Sequence, residues 1–319
     1  MEDFRIVDAH VHLYRDLEKE KQARNIPGRR DRDRWGNADS VIPYMDREGV
    51  SHIVVVNFYP TGIMRRVLLR KIPEGLSESE RESALRAVER QLADGMRRQN
   101  DWLCNLSQQQ PRIIAGIGVQ KLLTPEELVE EVELRAAAGA HTVKILPGWF
   151  HEFPNDRAFW PMYQRCAELG LSVISDTGTI GLGRHQAHPD EDNKICYGQP
   201  VHFTEVLQSF PNLTLVMAHF PSAFWDERIE LAEAFPNLMF DISGGFQGEG
   251  FSARDGRKAI TEADAPRILR KVGIERFMFG TDGPHVMIQP CLEQFLRLDL
   301  TDGEKQLILA ANAHRIYKF

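Results

Sequence analysis

Two histidines one residue apart, His10 and His12, close an apolar run that begins at Ile6. Such a run reads as a buried strand, and strand side chains alternate in direction, so residues i and i+2 share a face. Both imidazoles therefore point the same way, with room for one cation between them. Neutral imidazole ligates zinc, iron, nickel and copper, which makes the pair a half-site in need of partners. Other polar residues stand within or at the ends of further apolar runs: Lys144, Asp176, His219 and Asp282. At the end of a single buried strand such a residue is ordinarily a cap or turn former. Its recurrence at strand after strand points to one shared site.

The elements that must gather these residues alternate along the chain. Continuous apolar runs predict buried strands at 5–12, 52–57, 113–119, 141–146, 171–176, 213–219, 238–242 and 277–282. Helical periodicity or capping signals fall between them. Asp39 or Ser40 caps a short helix stopped by Gly49. Leu85, Val88, Leu92 and Met96 form an apolar stripe on a helix over 77–109. Thr124 and Pro125 open another, and helices are predicted at 155–170, 201–209, 222–235 and 261–272, with two more closing the chain. Eight strand–helix units over 319 residues, with no linker, predict an α/β fold: one (β/α)8 TIM barrel spanning 1–319. A doubly wound open sheet is disfavoured because no Gly-x-Gly-x-x-Gly follows the first strand. In a barrel the carboxyl ends of the strands surround one site, so residues far apart in sequence converge there.

Two long connections interrupt the pattern. Residues 14–39 are polar and centre on Arg29-Arg30-Asp31-Arg32-Asp33-Arg34. The segment is either a solvated loop or an active-site flap in which Arg32 and its neighbours receive an anion, because guanidinium pairs bidentately with carboxylate. A Gly/His-rich loop of about two dozen residues follows the fifth strand, long enough to suggest function.

The net charge of −7 argues against a nucleic-acid surface. No apolar run approaches the ~20 residues that span a bilayer, and no signal peptide is visible. Cys104, Cys166, Cys196 and Cys291 are scattered, so the expectation is reduced thiols in a cytoplasmic protein. A homo-oligomer is compatible with such a barrel, but no stretch identifies an interface.

The phrases Val7-Asp8-Ala9-His10-Val11-His12, Ala218-His219, Phe279-Gly280-Thr281-Asp282-Gly283-Pro284-His285 and Ala311-Asn312-Ala313-His314-Arg315-Ile316-Tyr317 resemble the amidohydrolase superfamily. The likeness runs over nearly the whole chain and is greatest to the branch of aminocarboxymuconate-semialdehyde decarboxylase. It implies that His10, His12 and Asp282 bind one divalent metal, zinc first and manganese second, and that His219 acts as acid/base or orients the substrate. Relatives carry a histidine on strand five, where this chain reads Asp176-Thr177-Gly178. Asp176 either replaces that ligand, stands behind the ligands as their partner, or marks a site in which metal binding is weakened. Lys144 is either a carbamate bridging two metals or an ammonium facing carboxylates or an anionic substrate; the mononuclear branch favours the ammonium. Asp241 supports a strand end. Trp149 and His285 line the pocket, while His151, His185 and His188 are loop histidines on the same face.

The resemblance implies a hydrolase that activates water against an amide, ester or lactone of a small, anionic substrate, with Asp282 and His219 as the catalytic pair. The alternative is non-oxidative decarboxylation of an aromatic or dienoic acid, which needs nearly the same ligands. A barrel that binds a ligand without catalysis is a third reading.

Overall fold

Apolar runs without alternation belong to strands covered on both faces, and the computed structural model of the chain places them there. It describes residues 5–23, 34–177, 197–222, 224–246 and 260–319. Among these, eight parallel strands pair in sequence order: β1 (Ile6–Val11), β2 (Val50–Val56), β3 (Ile113–Gly118), β4 (Ala140–Ile145), β5 (Ser172–Ser175), β6 (Leu215–Met217), β7 (Leu238–Asp241) and β8 (Phe277–Met278). The ring is closed by backbone bonds between β1 and the segment after β8: Ala9 to the Phe279 carbonyl at 2.9 Å, and Asp282 to the His10 carbonyl at 2.9 Å. The expected TIM barrel is the observed fold.

One buried cluster joins Val7, Ala9, Val54, Ile174, Val216 and Met278 from strands all around the ring, so it is the filled interior. Ala313, Ile316 and Tyr317 of the C-terminal helix Asn312–Tyr317 belong to it. The Tyr317 carbonyl meets His141 near the start of β4, so this helix plugs the amino-terminal mouth. A larger apolar cluster lies between the strands and the surrounding helices. Within it, the helix Glu78–Gln109 starts in a capping box of Ser77 and Glu80 and buries Val88, Leu92, Met96 and Leu103. Leu85 departs from the expected stripe. It is 39% exposed, one turn before the helix reaches the barrel wall.

Two further departures concern connections. A helix, Thr61–Leu69, follows β2 where the sequence pattern predicts none. The described parts of 14–39 are more ordered than a solvated loop: a helix covers Leu17–Ala23, and Trp35 is buried. Trp35 stacks on Tyr44 at 4.1 Å between ring centroids. A Cβ on Gly283 would lie 2.3 Å from the Trp35 ring, so only glycine permits this approach beneath the turn that follows β8. Arg32, His185 and His188 lie outside the described residues.

Candidate active site

The site begins with an irregularity in β1. Asp8 pairs with Ile53 and Val11 with Val55, so Ala9 and His10 together oppose the single residue Val54. This bulge changes the alternation between Asp8 and His10, while His10 and His12 keep their common direction. Asp8 turns to the segment after β8, where its carboxyl accepts bonds from the Thr281 hydroxyl at 2.6 Å and the Thr281 amide at 3.0 Å. Burial pushes this carboxyl up to about 7 despite those bonds. Asp8 thereby anchors the turn that carries Asp282, whose backbone is left-handed with φ 63°.

The two imidazoles are fixed from behind. His12 Nδ1 lies 2.8 Å from the Val56 carbonyl, and a carbonyl only accepts, so Nδ1 carries a proton and Nε2 is the atom turned to the site. His10 Nδ1 lies 2.8 Å from Asp241 Oδ2, with both side chains fully buried. Burial and the Lys144 charge pull the His10 pKa down to about 4, against the attraction of Asp241, so the ring is neutral with its Nε2 lone pair presented. Both Nε2 atoms face Asp282 Oδ1, at 3.1 Å from His12 and 3.9 Å from His10. Ligand atoms of His10, His12 and Asp282 all lie within 4.8 Å of one another. Two imidazoles and a carboxylate, each imidazole oriented by an acceptor behind it, fit a divalent cation. Burial would raise the Asp282 carboxyl, but the His12 contact and the His219 charge hold it below the usual carboxylate range.

A second group within ligand distance, His10, His219 and Asp241, is a hydrogen-bonded support. Asp241 Oδ1 accepts the His219 amide at 2.9 Å, the Ser243 amide at 3.0 Å and the Ser243 hydroxyl, while Oδ2 meets His10. Its carboxyl is held far below the carboxylate range: burial opposes ionisation, but His10, His219 and Ser243 outweigh it.

Asp176 belongs to neither group. Its Oδ1 accepts from Lys144 Nζ at 2.9 Å and from His219 Nε2 at 3.1 Å, while Lys144 Nζ also lies 3.4 Å from His10 Nε2. Burial would raise the Asp176 carboxyl, but Lys144, His219 and His10 hold it well below the usual range. Burial alone would neutralise His219. The hydrogen bond and charge of Asp176, joined by Asp282 and Asp241, outweigh it and push the imidazole up to about 9. His219 is thus a buried imidazolium at neutral pH. Its left-handed backbone, φ 60°, is held by the Asp241 carboxylate on its amide and by Arg228 Nη1 on its carbonyl at 2.9 Å. Ser243 Oγ sits 2.8 Å from its Nδ1.

Aromatic rings frame the mouth. His285 lies 5.8 Å and Phe58 6.2 Å from His12, and Trp149 packs edge-to-face on Phe58 at 5.1 Å. His151 instead stacks on Tyr197 at 5.2 Å. Sequence reasoning missed Asp8, Phe58, Arg228 and Ser243. Asp8, inside the first phrase, carried the one visible signal: an acid in an apolar strand.

The family model described as Amidohydrolase matches residues 7–319. No curated protein matches the sequence. Among solved structures, 2,6-dihydroxybenzoate decarboxylase from Rhizobium is similar at 16% identity and TM-score 0.66, with 99% of each chain covered. A dihydroxybenzoic acid decarboxylase from Polaromonas sp. JS666, with bound manganese and the inhibitor 2-nitroresorcinol, is similar at 14% identity and TM-score 0.65, covering 100% of this chain and 97% of its own. A probable 2-pyrone-4,6-dicarboxylic acid hydrolase from Acinetobacter baumannii, with citric acid bound, has 16% identity and TM-score 0.60, covering 99% of this chain and 100% of its own. With its barrel and a family match from the first strand to the last residue, the chain belongs to the amidohydrolase family.

Proposed function

We propose that this protein is a metal-dependent, non-oxidative decarboxylase of a small aromatic or dienoic carboxylic acid. The observation that carries this reading is the buried pair of His219 and Asp176, whose carboxylate lies 3.1 Å from Nε2 and favours the protonated ring. A water-activating base must be neutral, whereas protonation of a substrate carbon needs an acid that still holds its proton. His219, pushed up to about 9, starts as the acid.

A divalent ion held by His10, His12 and Asp282 would supply a positive centre that anchors anionic substrate oxygens. His219 delivers its proton to the carbon that bears the carboxylate. The new C–H bond takes a π pair of the ring or diene; the bond from that carbon to the carboxylate then breaks, its electron pair restores that π bond, and CO2 leaves, with neither water nor oxidant consumed. Asp176 stabilises the imidazolium before transfer, and Ser243 and Arg228 hold its ring and backbone. Phe58, Trp149 and His285 offer flat walls to a planar substrate, as aromatic faces favour stacked or edge-on rings.

The hydrolytic reading expected first becomes the second. Asp282, ionised and beside both histidines, is the base it would use, and the likeness to a probable pyrone hydrolase favours a lactone as its substrate. Manganese is the ion to load first, because the Polaromonas decarboxylase holds it; zinc is the comparison. The test is a panel of carboxyl-labelled dihydroxybenzoates and carboxyvanillate, incubated in D2O with the manganese-loaded protein. Labelled CO2 should be released, with one deuterium entering at the vacated carbon. Ring opening of a 2-pyrone with water uptake, and no CO2 from any acid, would replace this assignment with hydrolysis.

A further inference from the structure

Lys144 is the one fully buried lysine among the described residues, at 0% exposure on the interior side of β4. Its ammonium lies between two groups that bind cations: the Nε2 lone pair of His10 at 3.4 Å and the Asp176 carboxylate at 2.9 Å. His10 Nδ1 is committed to Asp241, so Nε2 is the only lone pair His10 can offer, and it is the same one that a divalent ion would use. Lys144 and a metal ion thus compete for one donor atom. The same ammonium, together with His219, also ties down Asp176 through Oδ1, and Asp176 belongs to neither group at ligand distance.

We propose that Lys144 is a built-in cation of this site, a positioning residue that keeps Asp176 out of the ligand set and limits the protein to one divalent ion on three protein ligands. The proposal rests on the metal-dependent reading above. A positive charge within a few ångströms opposes metal binding, and a released carboxylate favours it, so taking away the ammonium strengthens binding. Lys144→Met keeps the length of the side chain without its charge, and Lys144→Gln keeps a donor for Asp176 without the charge.

The test is calorimetric titration of the full chain with Mn2+, circular dichroism confirming the fold of each variant. Wild type should take one ion per chain. Both variants should bind it at least about tenfold more tightly, since a charge–charge term at this separation is large even at an effective dielectric near 20. Adding Asp176→Asn to Lys144→Met should cancel the gain. Equal or weaker binding in folded Lys144 variants overturns the proposal, as does a gain that survives the loss of Asp176. Should neither variant fold, the wild-type stoichiometry decides: one ion upholds the proposal and two overturn it. Absence of Mn2+ binding in every protein overturns both this inference and the metal-dependent reading, whereas binding indifferent to Lys144 overturns this inference alone.

Discussion

Replacing Asp241 by asparagine tests whether this carboxylate sets the tautomer of His10. The two side chains meet at 2.8 Å with neither exposed, so no water can take over the contact. The ionised carboxylate accepts from Nδ1 and leaves the Nε2 lone pair for a cation. In Asp241→Asn, Oδ1 can still accept the amides of His219 and Ser243, at 2.9 and 3.0 Å in wild type, which leaves the NH2 group facing Nδ1. That group donates, so the imidazole must carry its proton on Nε2, where it blocks the cation. Losing an acceptor of this kind costs about 10–100-fold in metal affinity, or about 1.4–2.7 kcal/mol. The fold also weakens, because one of the contacts is reversed; about 1–3 kcal/mol of stability is lost. Calorimetric Mn2+ titration measures the first quantity and urea unfolding of the chelated protein the second. A folded Asp241→Asn chain whose Mn2+ affinity stays within about threefold of wild type would refute the tautomer argument.

Three other outcomes follow from the same geometry. His219→Gln should lower decarboxylation by about 10²–10⁴-fold, the usual contribution of a general acid, with Mn2+ binding retained; loss of both together would make His219 a metal ligand. Folding raises the His219 pKa from 6.5 to about 9, so its protonation stabilises the native chain. That contribution, about 3 kcal/mol, is complete below pH 6.5 and is lost as pH rises through 9. Urea unfolding of chelated protein across this window should show the fall in wild type and not in His219→Gln; identical slopes would sink the assignment. Gly283→Ala forces a Cβ to within 2.3 Å of Trp35, a ring pinned on Tyr44. Overpacking of this kind costs about 1–3 kcal/mol, and an unchanged melting temperature would show that the ring yields.

The alternation of strand side chains placed His10 and His12 on one face from local geometry alone, and eight buried runs separated by helical patterns sufficed to predict the barrel. Barrel topology in turn gathers strand ends, which is why Lys144, His219 and Asp282 could be grouped from sequence although they lie on different strands. Amphipathic periodicity was less exact where burial depends on neighbours: Leu85 fits the stripe yet is 39% exposed, because the helix starts before it meets the wall. What the tertiary structure decided is which atom meets which. Lys144 and Asp176 are 32 positions apart, and His10 and Asp241 are 231 apart. No local rule tells a carboxylate at a strand end whether it will face a cation site, a lysine or the back of an imidazole. Those choices are set where the strands come together, because the low dielectric of the interior makes each unpaired charge too costly to leave without a partner.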